Sequence, residues 1–446
     1  MINRIHYKGR KTLRRLICLF TVLVLGVATT PALHLNRRGL SGWPPPPEER
    51  YDVFVELAAA AAELDDAALV GQLLVIGLDG RSMSDAVRRR LDELRPAGVI
   101  LFGRNLSDPE QTAEFNTELQ GTAAELGLPG LLIAVDQEGG RVRRLKSGYT
   151  PIPAMAELPG AADETGARRI GEVIGRELRA VGFNWNLAPV VDVLTNPDNP
   201  GIGDRAFSGD PAVVARYAVA LAEGLNAAGA ACCAKHFPGK GEAARDAHYD
   251  LPLIDVDAEH LDEYEWPPFR SLLADNHPAR AAMVSHVVIP TLDPELPASL
   301  SPAVYRALRS EIGFDGVAVT DDLEMGAIVN DYAVGGAARM AVIAGADLVL
   351  VCHDGGRMIA ARDALQEALA DGELEREELV RRVVRVWALK LALGLPLPGI
   401  IDYDHAREEL YLRRGLDPAP LVEPPPLSVC GSAEHRRIVR EALGGG

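Results

Sequence analysis

One short stretch, Ala234–Pro252 (AKHFPGKGEAARDAHYDLP), gathers much of the reactive chemistry in this chain of 446 residues. Lys235 and His236 supply donors that could grip a polar ligand. Pro238, Gly239 and Gly241 interrupt regular structure and let backbone approach such a ligand closely. Asp246 and His248 stand two residues apart, so a turning backbone can bring the carboxylate onto one imidazole nitrogen. That contact would fix the tautomer, raise the basicity of the ring and leave the other nitrogen free to move a proton. Taken alone, an Asp-x-His pair is equally compatible with a solvated surface loop. Its surroundings in the chain decide between the two.

Three further segments carry chemistry in a consistent order: IAVDQEGGRVRRL at Ile133–Leu145, Ser285–Gly316 (SHVVIPTLDPELPASLSPAVYRALRSEIGFDG) and VAVTDDLEMGAI at Val317–Ile328. Together with the Lys-His loop they resemble the β-N-acetylglucosaminidases of glycoside hydrolase family 3 across roughly Leu69–Leu395. The family's loop runs Lys-His-Phe-Pro-Gly-His-Gly, four residues, then Asp-Ser/Thr-His. This chain departs from it at Lys240 and Ala247 and keeps Asp246 and His248.

The resemblance implies the roles. Asp321, directly after Thr320, takes the place of the nucleophile, His248 that of the acid/base, and Asp246 that of the group stabilising the imidazolium. Free imidazole titrates near ~6.5, poised for both proton transfers around neutral pH. Asp136, Arg144, Arg205 (in DRAF, Asp204–Phe207), Lys235 and His236 would surround one N-acetylglucosamine ring. Asp322 should point away from its neighbour and cap or solvate. Glu138 and Arg141 could form a salt bridge beneath the sugar. The implied activity is a retaining exo-β-N-acetylglucosaminidase that removes terminal GlcNAc from muropeptides or chitin-type fragments. Alternatives are a family 3 phosphorylase, a β-glucosidase, or a catalytically silent sugar-binding barrel.

These side chains need elements to hold them. Apolar runs place strands at Leu73–Gly77, Gly98–Phe102, Leu131–Val135, Trp185–Pro189, Ala231–Lys235, Ala282–His286, Val317–Thr320 and Asp347–Val351. Amphipathic segments such as Asp108–Leu126, Asp163–Val181 and Pro211–Ala228 lie between them. Eight strands alternating with helices predict an α/β (β/α)8 barrel. Asp136, Lys235, His236, His286 and Asp321 then fall at the C-terminal strand ends, where such barrels build their sites, and the loop bearing His248 should be mobile.

The domain reading is a leader over 1–43, a Pro-rich spacer over 44–50, the barrel over 51–397 and a Pro-rich tail over 398–446. Gly431–Leu443 resembles the lead-in to a second α/β domain of longer family members, and no such domain is expected here. The leader pairs a basic stretch with the uncharged run Leu16–Asn36, which reads as an export signal cleaved after Ala28 or as an uncleaved membrane anchor. The protein is therefore expected to be exported, periplasmic, extracellular or membrane-anchored, touching membrane only through this segment. Cys18 lacks the small-residue context of a lipoprotein signal.

The chain has a formal net charge of −17, and its first 43 residues hold eight Lys/Arg and no Asp/Glu, which leaves −25 on the rest. Such a surface excludes nucleic acid as a partner. Five cysteines show neither a disulfide framework nor a zinc spacing. No metal or cofactor is expected, and the protein should be a monomer.

Overall fold

A computed structural model describes residues 52–273, 280–418 and 420–444. The leader and the spacer lie outside the described residues.

Short apolar runs bounded by turns form eight strands: β1 (Leu74–Gly77), β2 (Gly98–Ile100), β3 (Leu132–Val135), β4 (Trp185–Asn186), β5 (Cys232–Phe237), β6 (Arg280–Val284), β7 (Val317–Asp322) and β8 (Leu348–Val351). They pair in parallel in the order β4-β3-β2-β1-β8-β7-β6-β5. Bridges from Trp185 to Ala231 and from Val190 to Lys235 bring β4 against β5 and close the ring. The architecture is the (β/α)8 barrel that the sequence pattern implies. Nearly every strand residue is buried, as expected of parallel strands covered on both faces.

Each of the eight strands shifts by one to three residues at one or both ends from expectation, most visibly the fourth and the sixth. The fourth strand stops at Asn186 instead of Pro189, because Pro189 has no N–H to give to a ladder. The sixth begins at Arg280, where Arg280 and Ala281 pair with Cys232 and Cys233.

Several outer helices begin at carboxylates. Asp108, Asp163 and Asp210 cap the helices Pro109–Glu125, Glu164–Ala180 and Pro211–Ala227 by accepting first-turn backbone N–H groups. Beyond Leu397 the chain is more than a Pro-rich tail, since it carries the helices Tyr403–Arg413 and Ala433–Ala442. Glu177 draws the second of these onto the barrel, accepting from Gly431 N at 2.8 Å and from His435 Nδ1 at 2.9 Å. Cys232, Cys233, Cys352 and Cys430 form no disulfide among the described residues. Among the described residues no helix is long and apolar enough to cross a membrane.

Candidate active site

The C-terminal ends of the strands surround a cavity of about 240 Å³ whose walls include Asp136, Arg144, His248, Asp321 and Asp322. Loops following several of the strands build it. After β3 the chain makes a hairpin, Gln137–Gly139 with Val142–Arg143. The side chain of Gln137 accepts from Arg144 N and Leu145 N at 2.9 and 3.1 Å, which sets Arg144 facing back towards Asp136. Arg144 and Asp136 lie 3.5 Å apart, and the guanidinium rests 5.8 Å from the centre of the Phe102 ring.

Behind Asp136 is a buried charge network. Lys235 Nζ, at the end of β5, lies 2.8 Å from Asp136 and 2.6 Å from Glu138. Arg205 meets Glu138 through two bonds of 2.8 and 2.9 Å. Burial opposes the ionised form of Glu138, but Arg205 and Lys235 outweigh it and hold its carboxyl well below the usual range. Burial likewise disfavours charge on Lys235, and Asp136 and Glu138 reverse that, raising its pKa. Glu138 and Arg141 do not pair as the sequence suggested. Glu138 is taken by the two nearer cations, while Arg141, at the hairpin tip, bonds Asp204 at 3.0 Å and the carbonyls of Gly201 and Ile202.

His236 is held by Asp192, whose Oδ2 lies 2.7 Å from Nδ1. Nε2 faces an Arg205 N–H at 3.4 Å. With an acceptor on one side and a donor on the other, the ring fits the neutral Nδ1–H tautomer, and burial lowers its pKa further than Asp192 restores it. Asp192 also accepts Lys240 N at 2.8 Å, tying the loop that follows β5 to the one that follows β4. Asn199 strengthens that tie by donating to the carbonyls of Lys240 and Gly241 at 2.8 and 2.9 Å. The approach is so close at Gly241 that a Cβ there would strike the carbonyl of Val193, so only glycine fits.

The same loop carries the second carboxylate–imidazole pair. Asp246 Oδ1 accepts from His248 N at 3.0 Å and lies 2.7 Å from Nδ1. The Nε2 of His248 makes no hydrogen bond among the described residues. Burial works against the Asp246 carboxylate, yet the His248 N–H and ring and the charge of Lys240 keep its pKa below the ordinary value. The loop, expected to be mobile, is docked in this structure: Gly326 N and Ala327 N donate to the carbonyls of His248 and Ala247 at 3.1 Å. Ala247 is buried against Met325 and Ala327, a contact for which a small apolar side chain suffices.

Asp321, next to last in β7, lines the cavity. Burial raises its pKa, but the neighbouring His236, His286 and Lys240 and the N–H of Asp322 overcome this and hold it far below the carboxylate range. Asp322 N donates to Asp321 Oδ1 at 2.9 Å. Asp322 also reaches the cavity wall, where it meets His353 Nε2 at 3.2 Å and accepts from Glu324 N at 3.1 Å. His286 does not open onto the mouth. It is buried between Ser299 Oγ at 2.7 Å and the Asp322 carbonyl at 2.9 Å, which makes it a prop beneath the Asp321–Asp322 turn. Among the described residues no cluster of His, Cys, Asp and Glu could hold a metal ion.

Sequence reasoning missed Asp192 and the wall residues Phe102 and His353. Asp192 had a signal, a lone carboxylate inside the apolar run Val190–Leu194. His353 lies two residues past the last strand, at the end where barrel sites form.

Residues 67–389 match the glycosyl hydrolase family 3 N-terminal domain. A β-hexosaminidase of Hydrogenovibrio crunogenus is 36% identical over 326 residues, covering 70% of this chain and 88% of that protein. One from Xylella fastidiosa is 40% identical over 290 residues, covering 63% of this chain and 83% of its own length. Among solved structures, a glycoside hydrolase family 3 β-N-acetylglucosaminidase from Paenibacillus sp. superposes with a TM-score of 0.75 at 39% identity, covering 85% of this chain and 68% of that one. A β-N-acetylhexosaminidase from Beutenbergia cavernae gives 0.68 at 31% identity, covering 75% and 99%. This chain belongs to glycoside hydrolase family 3.

Proposed function

We propose that the protein is a retaining exo-β-N-acetylglucosaminidase that removes terminal, non-reducing GlcNAc from peptidoglycan or chitin-type fragments. The observation that carries this reading is that Asp321 and the Asp246-held His248 line one small cavity together with Asp136 and Arg144. The names of the relatives support the sugar.

In the first step an Asp321 oxygen attacks the anomeric carbon, the bond to the leaving oxygen breaks, and protonated His248 gives that oxygen its Nε2 proton. In the second, water attacks the same carbon, His248 takes its proton, and the ester electrons return to Asp321 as a carboxylate. Asp246 stabilises the imidazolium whenever His248 carries charge. Asp136, Arg144, Lys235, His236 and Arg205 bind and orient the ring. Their buried pairing favours one fixed geometry, which a sugar with many hydroxyls requires.

Turnover of a chromogenic β-N-acetylglucosaminide beside the matching β-glucoside tests the reading. The N-acetyl sugar should be preferred by roughly two orders of magnitude, about 2.7 kcal/mol in the barrier. Product should be free N-acetylglucosamine with or without added phosphate; the sugar 1-phosphate would indicate a phosphorylase. The basic and apolar leader leads us to place the activity outside the cytoplasm, and fractionation of cells making the full chain checks this.

A further inference from the structure

Away from the catalytic mouth, a second cavity of about 380 Å³ is walled by the helices Pro302–Ser310 and Arg376–Ala392. Each helix carries two arginines three residues apart, Arg306 with Arg309 and Arg382 with Arg385, so each pair shares a helix face. All four border this one cavity. Two of them bond Asp347, which directly precedes β8, so the cluster sits at the N-terminal strand ends, opposite the mouth.

The inner N–H groups of the cluster serve the fold. Arg309 donates to the carbonyls of Phe314 and Gly316 at 2.9 and 2.7 Å and to Asp347 Oδ2 at 2.7 Å. Arg385 reaches Asp347 Oδ1 at 3.0 Å. Arg382 donates to Ala346 O at 2.8 Å and pairs at 3.0 Å with Glu378, which it shares with Arg381. Three guanidinium groups are thereby fixed in place before any ligand arrives. Other N–H groups stay open. Among the described residues, Arg306 makes no side-chain hydrogen bond or ion pair, and Nε of Arg382, whose side chain is only 6% exposed, is buried without a partner. A donor buried without an acceptor is costly, which favours an acceptor supplied from outside the chain.

We infer that this cavity binds a phosphate monoester as its dianion. Four arginines meet two carboxylates, Asp347 and Glu378, and the excess of two positive charges stands out on a chain of net charge −17. A phosphate dianion matches that excess and offers three acceptor oxygens to the guanidinium forks. A carboxylate would bring half the charge and two oxygens. A cavity of this size holds more than a phosphate group, so room remains beside Tyr305 for the organic part of the ester. The inference does not depend on the proposed glycosidase reaction.

The test is calorimetric titration of the full-length protein at fixed ionic strength with inorganic phosphate, glucose 6-phosphate and dihexanoyl phosphatidate. One site should appear, with a Kd below about 1 mM for at least one of the two esters and weaker binding of inorganic phosphate. The tighter ester identifies the source, a soluble sugar phosphate or a lipid headgroup. Arg306→Ala, which removes no bond of the fold, should weaken the ester by at least about tenfold and leave melting temperature and aryl glycoside turnover unchanged. Arg144→Ala, at the mouth, should leave ester binding unchanged. Equal affinity of wild type and Arg306→Ala, or loss of binding in Arg144→Ala, would put the anion elsewhere and overturn the inference. So would the absence of saturation by every probe up to about 20 mM.

Discussion

The site contains two carboxylate–imidazole pairs with the same 2.7 Å contact at Nδ1 and very different settings. Asp192, on the loop after β4, and His236, in β5, have side chains 0% and 4% exposed and are locked to Arg205 and Lys240. Asp246 and His248 are 21% and 58% exposed, on a loop docked over the mouth. Burial makes the first pair a fixed fixture, its imidazole driven towards the neutral form, suited to recognising a sugar. Exposure leaves the second able to exchange protons with water, as an acid/base must. The identical local bond thus serves two ends, and its environment decides which.

The largest expected effect comes from the group that both pairs serve. Asp321→Asn should lower turnover by at least about 10³-fold, measured by steady-state assay, while Asp322→Asn retains considerably more. Next, His248→Ala should cost about 10²-fold or more on a disaccharide with a poor leaving group and far less on an activated aryl glycoside, with little change in melting temperature. Equal losses on both substrates would reduce His248 to a loop support.

Asp192→Asn should do the reverse. It leaves buried donors short of an acceptor, so unfolding free energy should fall by about 1–3 kcal/mol and KM should rise, equally for both substrates. Denaturant titration beside the two-substrate assay separates this pattern from that of His248→Ala.

A smaller effect, on stability alone, concerns Lys390. Its ammonium is fully buried and, among the described residues, meets only Gln72 Oε1, at 3.0 Å, in place of the two carboxylates around Lys235. Burial lowers its pKa to about 7. Between that value and the ordinary ~10.4 the unfolded chain binds the extra proton, so stability rises with pH through this window, and the penalty is whole below it. Lys390→Met should raise the melting temperature by at least about 2 °C at pH 6, with the gain fading towards pH 10.

What the chain disclosed follows the same division. Apolar runs and Asp-led helices were legible because they depend on neighbours in sequence, and the eight strands stand nearly where those runs put them. The Asp246–His248 contact was legible for the same reason, being closed within three residues. Asp192 was not tied to His236, since 44 residues separate them and only barrel closure brings them together. Glu138 went to Lys235 and Arg205, 97 and 67 residues away in sequence, over the nearby Arg141, because in the closed barrel those two cations lie nearer than any local partner.

The central claim is that Asp321 becomes covalently attached to the sugar. Incubation with a slow 5-fluoro β-N-acetylglucosaminyl donor, followed by digestion and peptide mass mapping, tests it directly. The account predicts one N-acetyl-5-fluoroglucosaminyl group on Asp321, absent in Asp321→Asn; label on Asp322, or turnover of the natural anomer with inverted product and no label, would contradict it.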